Sequence, residues 1–255
     1  MFPIFLIGGG WEPDGFVHTY GAFVRRASSR GRCKIALILA AGDEENTSEM
    51  EVRYRQVFEA CGVPADDVVL MWGTSTVPVQ FDALVASRPT GVFVGGGLTP
   101  LYQTLLCANL AWLDYLREGH IPYAGFSAGA AIAARHAIVG GWQVHRDDRV
   151  IGILDAEFGE ELATLEVREG LGLVPFAVDV HASQWGTLTR LMQAVDLGLS
   201  PEGWAIDENT MLCIEEERLE VHGLGHAYHV QRQAADALGI RLYRAGAVLP
   251  YTPPL

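Results

Sequence analysis

Side chains suited to covalent hydrolysis stand at separate places along this chain. The first is Tyr123-Ala124-Gly125-Phe126-Ser127-Ala128-Gly129-Ala130, where a serine sits between two glycines as an apolar strand must turn into a helix. A serine on such a strained elbow presents its hydroxyl to solvent, and small residues two before and two after keep side chains clear of the crossing backbone. The N–H of Ala128, at the start of the following helix, has no intrahelical acceptor and is free to stabilise an oxyanion. Asp179 and His181 lie two apart on a predicted strand, which puts both on one face. Asp207 and Glu208 are adjacent, so strand alternation sends them to opposite faces.

The elements that must position these groups follow a β-then-α rhythm. Ile4 to Ile7 is a buried strand ending in Gly8-Gly9-Gly10, followed by a helix over Phe16 to Ala27. The turn GGGWEPDG does not match the GxGxxG pattern of dinucleotide sites, and Pro13 interrupts the helix start. Lys34 to Ala41, Val68 to Trp72 and Gly91 to Val94 are further strands, with helices over Thr47 to Ala60, Val79 to Ala86 and Leu101 to Ala108 between and after them. Ile121 to Phe126 is the strand that leads into the elbow, and Ala128 to Ala134 the helix beyond it.

This alternation predicts an α/β fold: a mostly parallel sheet with helices on both faces, carrying its ligands at the strands' carboxyl ends. Gly95-Gly96-Gly97 ends the strand before the elbow strand, so a Gly97 N–H facing that of Ala128 would complete an oxyanion hole. Gly140 to Glu161 lacks periodicity and reads as a loop-rich insertion in which His145 and Arg146 are solvated. Phe176 to His181 is a strand, Ser183 or Thr187 caps the next helix, and the apolar stripe Leu188, Leu191, Met192, Val195 leaves Arg190 off the core face. Met211 to Ile214 and Arg218 to His222 are predicted antiparallel strands, and the tail from Pro250 is extended.

At 255 residues, 49% hydrophobic and 19% charged, with no linker-like stretch or repeat, the chain is expected to form a single α/β domain over residues 1–255. Its 18 Lys and Arg against 31 Asp and Glu give a net charge of −13, which argues against nucleic acid as a partner. Cys33, Cys61, Cys107 and Cys213 are scattered and read as buried thiols rather than a disulfide framework. His222, His226 and His229 fit no zinc-site spacing and read as surface histidines, so no metal and no cofactor are expected. The apolar start lacks a basic leader and stops at Gly8, short of a membrane span, which reads as the first core strand of a cytoplasmic protein. Apolar surface near the tail would suit a homodimer.

With GGG, GFSAGA, GLGLVP, DVHASQ and AIDENT in this order, the chain resembles the serine peptidase family that includes peptidase E (aspartyl dipeptidase) and cyanophycinase, from the first strand to about Leu224. The likeness is greater to the cyanophycinase branch. It implies a fold of the class I glutamine amidotransferase-like or flavodoxin-like kind, with Ser127 as nucleophile, His181 as general base and Glu208 as the acid that orients the imidazole. The chemistry agrees, since serine needs a histidine to take its proton and a carboxylate must fix the histidine's tautomer. Asp207 and Asp179 remain alternatives for the acid, with Asp179 more suited to shaping the pocket.

Substrate contacts are expected from Gly96, Thr99, Asp179, Gln184, Trp185 and Arg190. Cyanophycinase-like sequences carry aspartate and glutamine where this chain has Leu98 and Thr99, and arginines where it has Trp185 and Thr187, so Arg190 alone of that basic set remains. Peptidase E would carry asparagine in place of Leu98. These departures favour a small peptide or isopeptide less acidic or more apolar than the substrates of either branch, with Trp185 as a pocket wall. The expectation is a serine-type peptidase working through an acyl-enzyme. The rival readings are a catalytically silent member that binds a peptide or amino acid, and an esterase or amidase acting on other acyl groups.

Overall fold

The computed structural model describes residues 2–42 and 47–252, with the side chain of Thr47 outside that description. Its first half alternates strand and helix: β1 (Ile4–Ile7), α1 (Pro13–Phe16), α2 (Tyr20–Ala27), β2 (Ile35–Ala41), α3 (Thr47–Ala60), β3 (Val68–Thr74), α4 (Phe81–Ser87), β4 (Gly91–Val94), α5 (Thr99–Cys107), α6 (Ala111–Gly119), β5 (Tyr123–Phe126) and α7 (Ala128–Ala131). The second half is richer in strand: β6 (His136–Gly140), β7 (Gln143–Arg146), β8 (Arg149–Gly152), β9 (Glu166–Glu169), β10 (Ala177–Val180), α8 (Leu188–Asp196), β11 (Glu202–Ile206), β12 (Thr210–Glu215), β13 (Arg218–Gly223), β14 (His226–Ala234), β15 (Ala237–Arg244) and β16 (Val248–Pro250).

The main sheet has eight strands in the order β16-β13-β12-β1-β5-β4-β2-β3. The five from β1 to β3 in that order run parallel, and β12, β13 and β16 extend it antiparallel from β1. Parallel strands covered on both faces read as unbroken apolar runs, and all seven residues of β2 are buried. Leu6, Ile38 and Val94 face Tyr102, Leu106 and Leu113, while Ile7, Leu37 and Phe93 face Phe23, Tyr54 and Phe58 on the other side. Helices therefore cover both faces.

A second, four-stranded sheet has the order β10-β11-β14-β15, with β10 parallel to β11 and the rest antiparallel. Helix α8 packs on it through Leu191 and Val195, which meet Ala177, Ala205 and Val230.

Several elements differ from the sequence reading. The helix predicted over Phe16 to Ala27 begins at Tyr20, because α1 closes its own turn at Phe16. The elbow helix stops at Ala131 rather than Ala134. The carbonyls of Ile132, Ala133 and Ala134 accept hydrogen bonds from Leu171, Leu173 and Gly172 of the returning chain, so they are not available to a continuing helix. The stretch Gly140 to Glu161 is not all loop, since β7 and β8 pair within it as a hairpin. Helix α6 and the long β14–β15 hairpin were not expected. Pro250, where the expected tail begins, closes β16 and pairs with Arg218 of β13, and 253–255 lie outside the described residues.

Candidate active site

Ser127 follows the last residue of β5 with φ 51° and ψ −112°, a conformation a non-glycine residue holds only where its surroundings impose it. The Ser127 N–H donates to the Ile7 carbonyl at 2.9 Å, and the Gly129 N–H to the Gly95 carbonyl at 3.1 Å, which ties the elbow to both neighbouring strands. The flanking glycines are required by space: a Cβ at Gly125 would collide with the Gly129 carbonyl, and one at Gly129 with the Val94 carbonyl. Ser127 thus stands at the carboxyl end of the sheet, next to the Gly95–Gly97 turn that ends β4.

His181 comes from the other sheet, one residue past β10, with φ 56°. Its N–H donates to the Gly8 carbonyl at 2.9 Å, and its ring lies on Gly9, where a Cβ would collide with Cε1. Gly9 therefore serves the close approach of an imidazole, while Gly8 makes room for the Asp207 carbonyl and Gly10 for the Asn209 side chain. The Ser127 Oγ is 2.9 Å from His181 Nε2, and His181 Nδ1 is 2.7 Å from Glu208 Oε1. With the Nδ1–H donating to the carboxylate, Nε2 is left to accept the serine hydroxyl. That hydrogen bond holds the Glu208 carboxyl below its usual value, against the opposing effect of burial.

The other carboxylates are taken. Asp207 is buried and accepts the backbone N–H groups of Ser183 and His226, each at 3.0 Å. Asp179 forms a bidentate pair with Arg190, at 2.8 Å from Nε and 2.7 Å from Nη2. Of the acidic candidates, Glu208 alone reaches the imidazole, and the Gln184 amide oxygen steadies it by accepting the Glu208 N–H at 3.0 Å.

A cleft of about 1100 Å³ opens over Ser127 and His181. Gly96, Gly97 and Leu98 form its floor beside the serine, and a Cβ at Gly96 would come within 3.0 Å of the Ser127 Cβ. Trp185 stacks on His181 with centroids 3.7 Å apart and planes 10° from parallel, and Phe158 stacks on the far face of Trp185 at 5.0 Å. Trp11 covers Phe126 on the opposite side, with the Arg53 guanidinium 4.7 Å over its ring. Glu49, Glu157, Glu160 and Glu161 also line the cleft. Burial pushes the Glu160 carboxyl up, partly offset by the Thr99 N–H it accepts at 2.9 Å and by Arg190.

Of the residues expected to touch substrate, Gly96 and Trp185 line this cleft and the others do not. Thr99 is buried at the start of α5, where its N–H holds Glu160. Gln184 is spent on the backbone of Glu208. Arg190 is 2% exposed rather than off the core face: its guanidinium is drawn inward by Asp179 and also donates to the Phe158 carbonyl at 3.1 Å. Thr187 occupies the N-cap position of α8 but gives its hydroxyl to the Val180 carbonyl, and Ser183 bonds to Tyr228, so neither caps the helix with its side chain.

His222 and His226 are partly exposed, whereas His229 is enclosed, stacked on Trp204 at 4.8 Å and bonded to Glu202. The cysteines are half-buried free thiols. Among the described residues no group of side chains is arranged to hold a metal, and no helix is long and apolar enough to cross a membrane.

Trp11, Arg53 and Glu160 were not singled out in the sequence. Trp11 alone had a signal, since it follows the glycine turn at the carboxyl end of a strand.

The model of peptidase family S51 matches residues 4–222. A cyanophycinase of Nostoc sp. (strain PCC 7120) is 28% identical over 233 residues, covering 87% of this chain and 71% of the relative. One of Synechococcus elongatus is 30% identical over 178 residues, covering 68% of this chain and 51% of the relative. A crystal structure of a Listeria monocytogenes EGD-e protein, assigned to peptidase E, superposes with a TM-score of 0.54 at 17% identity, covering 88% of this chain and all of that one. That likeness is one of fold.

Proposed function

Because the chain belongs to peptidase family S51, we propose that it is a serine peptidase hydrolysing small peptides or isopeptides through an acyl-enzyme on Ser127. The observation that carries this reading is the hydrogen-bonded relay from Ser127 Oγ through His181 to Glu208. In the proposed reaction His181 Nε2 takes the hydroxyl proton as Oγ attacks the scissile carbonyl, and Glu208 stabilises the imidazolium. The N–H groups of Gly97 and Ala128 receive the oxyanion. His181 then gives the proton to the leaving amine, and water, activated by the same imidazole, releases the acyl group. The relay joins a serine on the larger sheet to a base and an acid from the smaller one, so both sheets form one catalytic unit.

The cleft favours substrates poor in negative charge. Glu49, Glu157, Glu160 and Glu161 face it against Arg53, and Trp11, Phe126, Phe158 and Trp185 offer ring surfaces to apolar side chains. Arg190 is committed to Asp179 and does not line the cleft, so nothing of the expected basic set remains there to receive a β-aspartyl-arginine polymer.

The test is hydrolysis of a panel of dipeptides, blocked peptides and β-aspartyl-arginine, beside labelling by a fluorophosphonate. Ser127→Ala should abolish both, and Glu208→Gln should lower turnover by about a hundredfold to ten-thousandfold. Binding of panel members without turnover or labelling would replace the peptidase reading by that of a ligand-binding relative. Turnover confined to esters would make the protein an esterase.

A further inference from the structure

The end of β4 is held by two buried tyrosines that reach it from opposite faces of the main sheet. Tyr54, on α3, accepts the Gly96 N–H at 2.7 Å, and Tyr102, on α5, donates its hydroxyl to the Gly96 carbonyl at 2.9 Å. Both side chains are fully buried. The carbonyl of Gly96 and the N–H of Gly97 belong to one planar trans peptide, so they point in opposite directions and turn together. With the carbonyl fixed on Tyr102, the Gly97 N–H is directed away from α5, on the side where Gly96 and Gly97 line the cleft beside Ser127. The Tyr102 ring also lies against Gly97, where a Cβ would come within 3.0 Å of Cε2. No acceptor among the described residues takes the Gly97 N–H.

We propose that Tyr102 is a positioning residue that sets the oxyanion hole, acting through the Gly96 carbonyl on the direction of the Gly97 N–H. This rests on the serine hydrolase reading. Glycine residues impose little barrier to rotation of the peptide between them, so without the phenol the Gly96–Gly97 unit is free to turn. The two tyrosines have different duties. Tyr54 holds the peptide before Gly96, whose N–H is not an oxyanion donor, whereas Tyr102 holds the peptide that supplies one. Burial raises the Tyr54 phenol well above its ordinary value, which keeps this contact neutral.

The contrast between two isosteric variants tests the proposal. Tyr102→Phe and Tyr54→Phe each delete one buried hydroxyl and retain the ring, so similar losses of thermal midpoint are expected from both. With a fluorophosphonate as probe, the second-order labelling rate of Ser127 should fall about ten- to a hundredfold in Tyr102→Phe, less than the roughly hundred- to thousandfold loss known for deleting an oxyanion donor outright, since here the donor is misdirected rather than removed. In Tyr54→Phe it should fall no more than about threefold, as expected when the donor keeps its direction. With p-nitrophenyl acetate the Tyr102→Phe loss should appear in kcat, with KM changed by less than about twofold, as for a contact made only in the transition state. Equal labelling of wild type and Tyr102→Phe, or equal losses in both variants, overturns the positioning role alone. Failure of wild type to label at Ser127 overturns the hydrolase reading and the positioning role with it.

Discussion

Removing either member of the Asp179–Arg190 pair should cost far more than removing both. The side chains are 1% and 3% exposed and share two hydrogen bonds of 2.8 and 2.7 Å, so each charge depends on the other for solvation. Burial alone would lower the Arg190 value, yet Asp179 and Glu160 more than offset it and hold the guanidinium above its ordinary range. Deleting one partner of such a pair leaves an uncompensated buried charge, at a cost of about 3–5 kcal/mol. For a chain of this size about 1 kcal/mol shifts Tm by roughly 2–4 °C, so Asp179→Asn or Arg190→Met should melt about 6–20 °C below wild type. The double variant Asp179→Leu/Arg190→Met leaves neither member of the pair charged, and most of that loss should return, the remainder falling on Glu160, which loses Arg190 as a neighbour.

Activity should not return with stability. Arg190 also holds the Phe158 carbonyl, and Phe158 is the outer ring of the stack that ends on His181. With that anchor gone, turnover in the double variant should stay about tenfold below wild type, as small misplacements near reacting groups do. Thermal and urea unfolding at neutral pH, beside kcat on one panel substrate, give both readings. If the double variant is as unstable as the singles, the cost lies in packing rather than charge and the reasoning fails.

The remaining expectations concern the imidazole and its acid. Trp185 lies flat on His181, in contact geometry for a cation–π interaction worth about 0.5–2 kcal/mol once the ring is protonated in the transition state. Trp185→Ala should therefore lower kcat by roughly two- to thirtyfold, with Trp185→Phe between it and wild type; equal kcat in all three would refute the contribution. Glu208, held below its ordinary value of 4.5 by His181, contributes stability that is complete above about pH 4.5 and is lost as pH falls through the depressed value. Urea midpoints taken from pH 6 to pH 3 should fall less steeply in Glu208→Gln than in wild type, and parallel curves would exclude this linkage.

The main sheet was legible in the sequence because β1, β2, β4 and β5 are buried along their whole length and appear as apolar runs, three of them closed by glycine. The elbow was legible for a related reason: only glycine fits where Gly125 and Gly129 meet backbone carbonyls. Of the second sheet only β10 was legible. The β14–β15 hairpin is largely exposed and carries Gln, Arg and Ala where a core strand would show an apolar face. Arg190 was misread because helical periodicity locates a face but not a partner, and Asp179 lies eleven positions away on a strand. Nothing in spacing reveals that Tyr54, Gly96 and Tyr102 meet, since those hydrogen bonds depend on helices from two sides of a sheet.

The serine and its base belong to different sheets, and the chain closes the distance between them at a narrow seam. There the Gly8 carbonyl takes the His181 N–H and the Gly9 carbonyl takes the Asn209 N–H at 2.7 Å. The elbow needs only β1, β4 and β5, so it exists wherever the larger sheet does; the reactive pairing exists only when the second sheet has docked. If the chain is the serine peptidase proposed above, reactivity at Ser127 is a stricter certificate of the native state than circular dichroism. On that reading a preparation with its full complement of helix and strand but a parted seam should be inert, and active-site titration, not spectroscopy, would count the molecules that are whole.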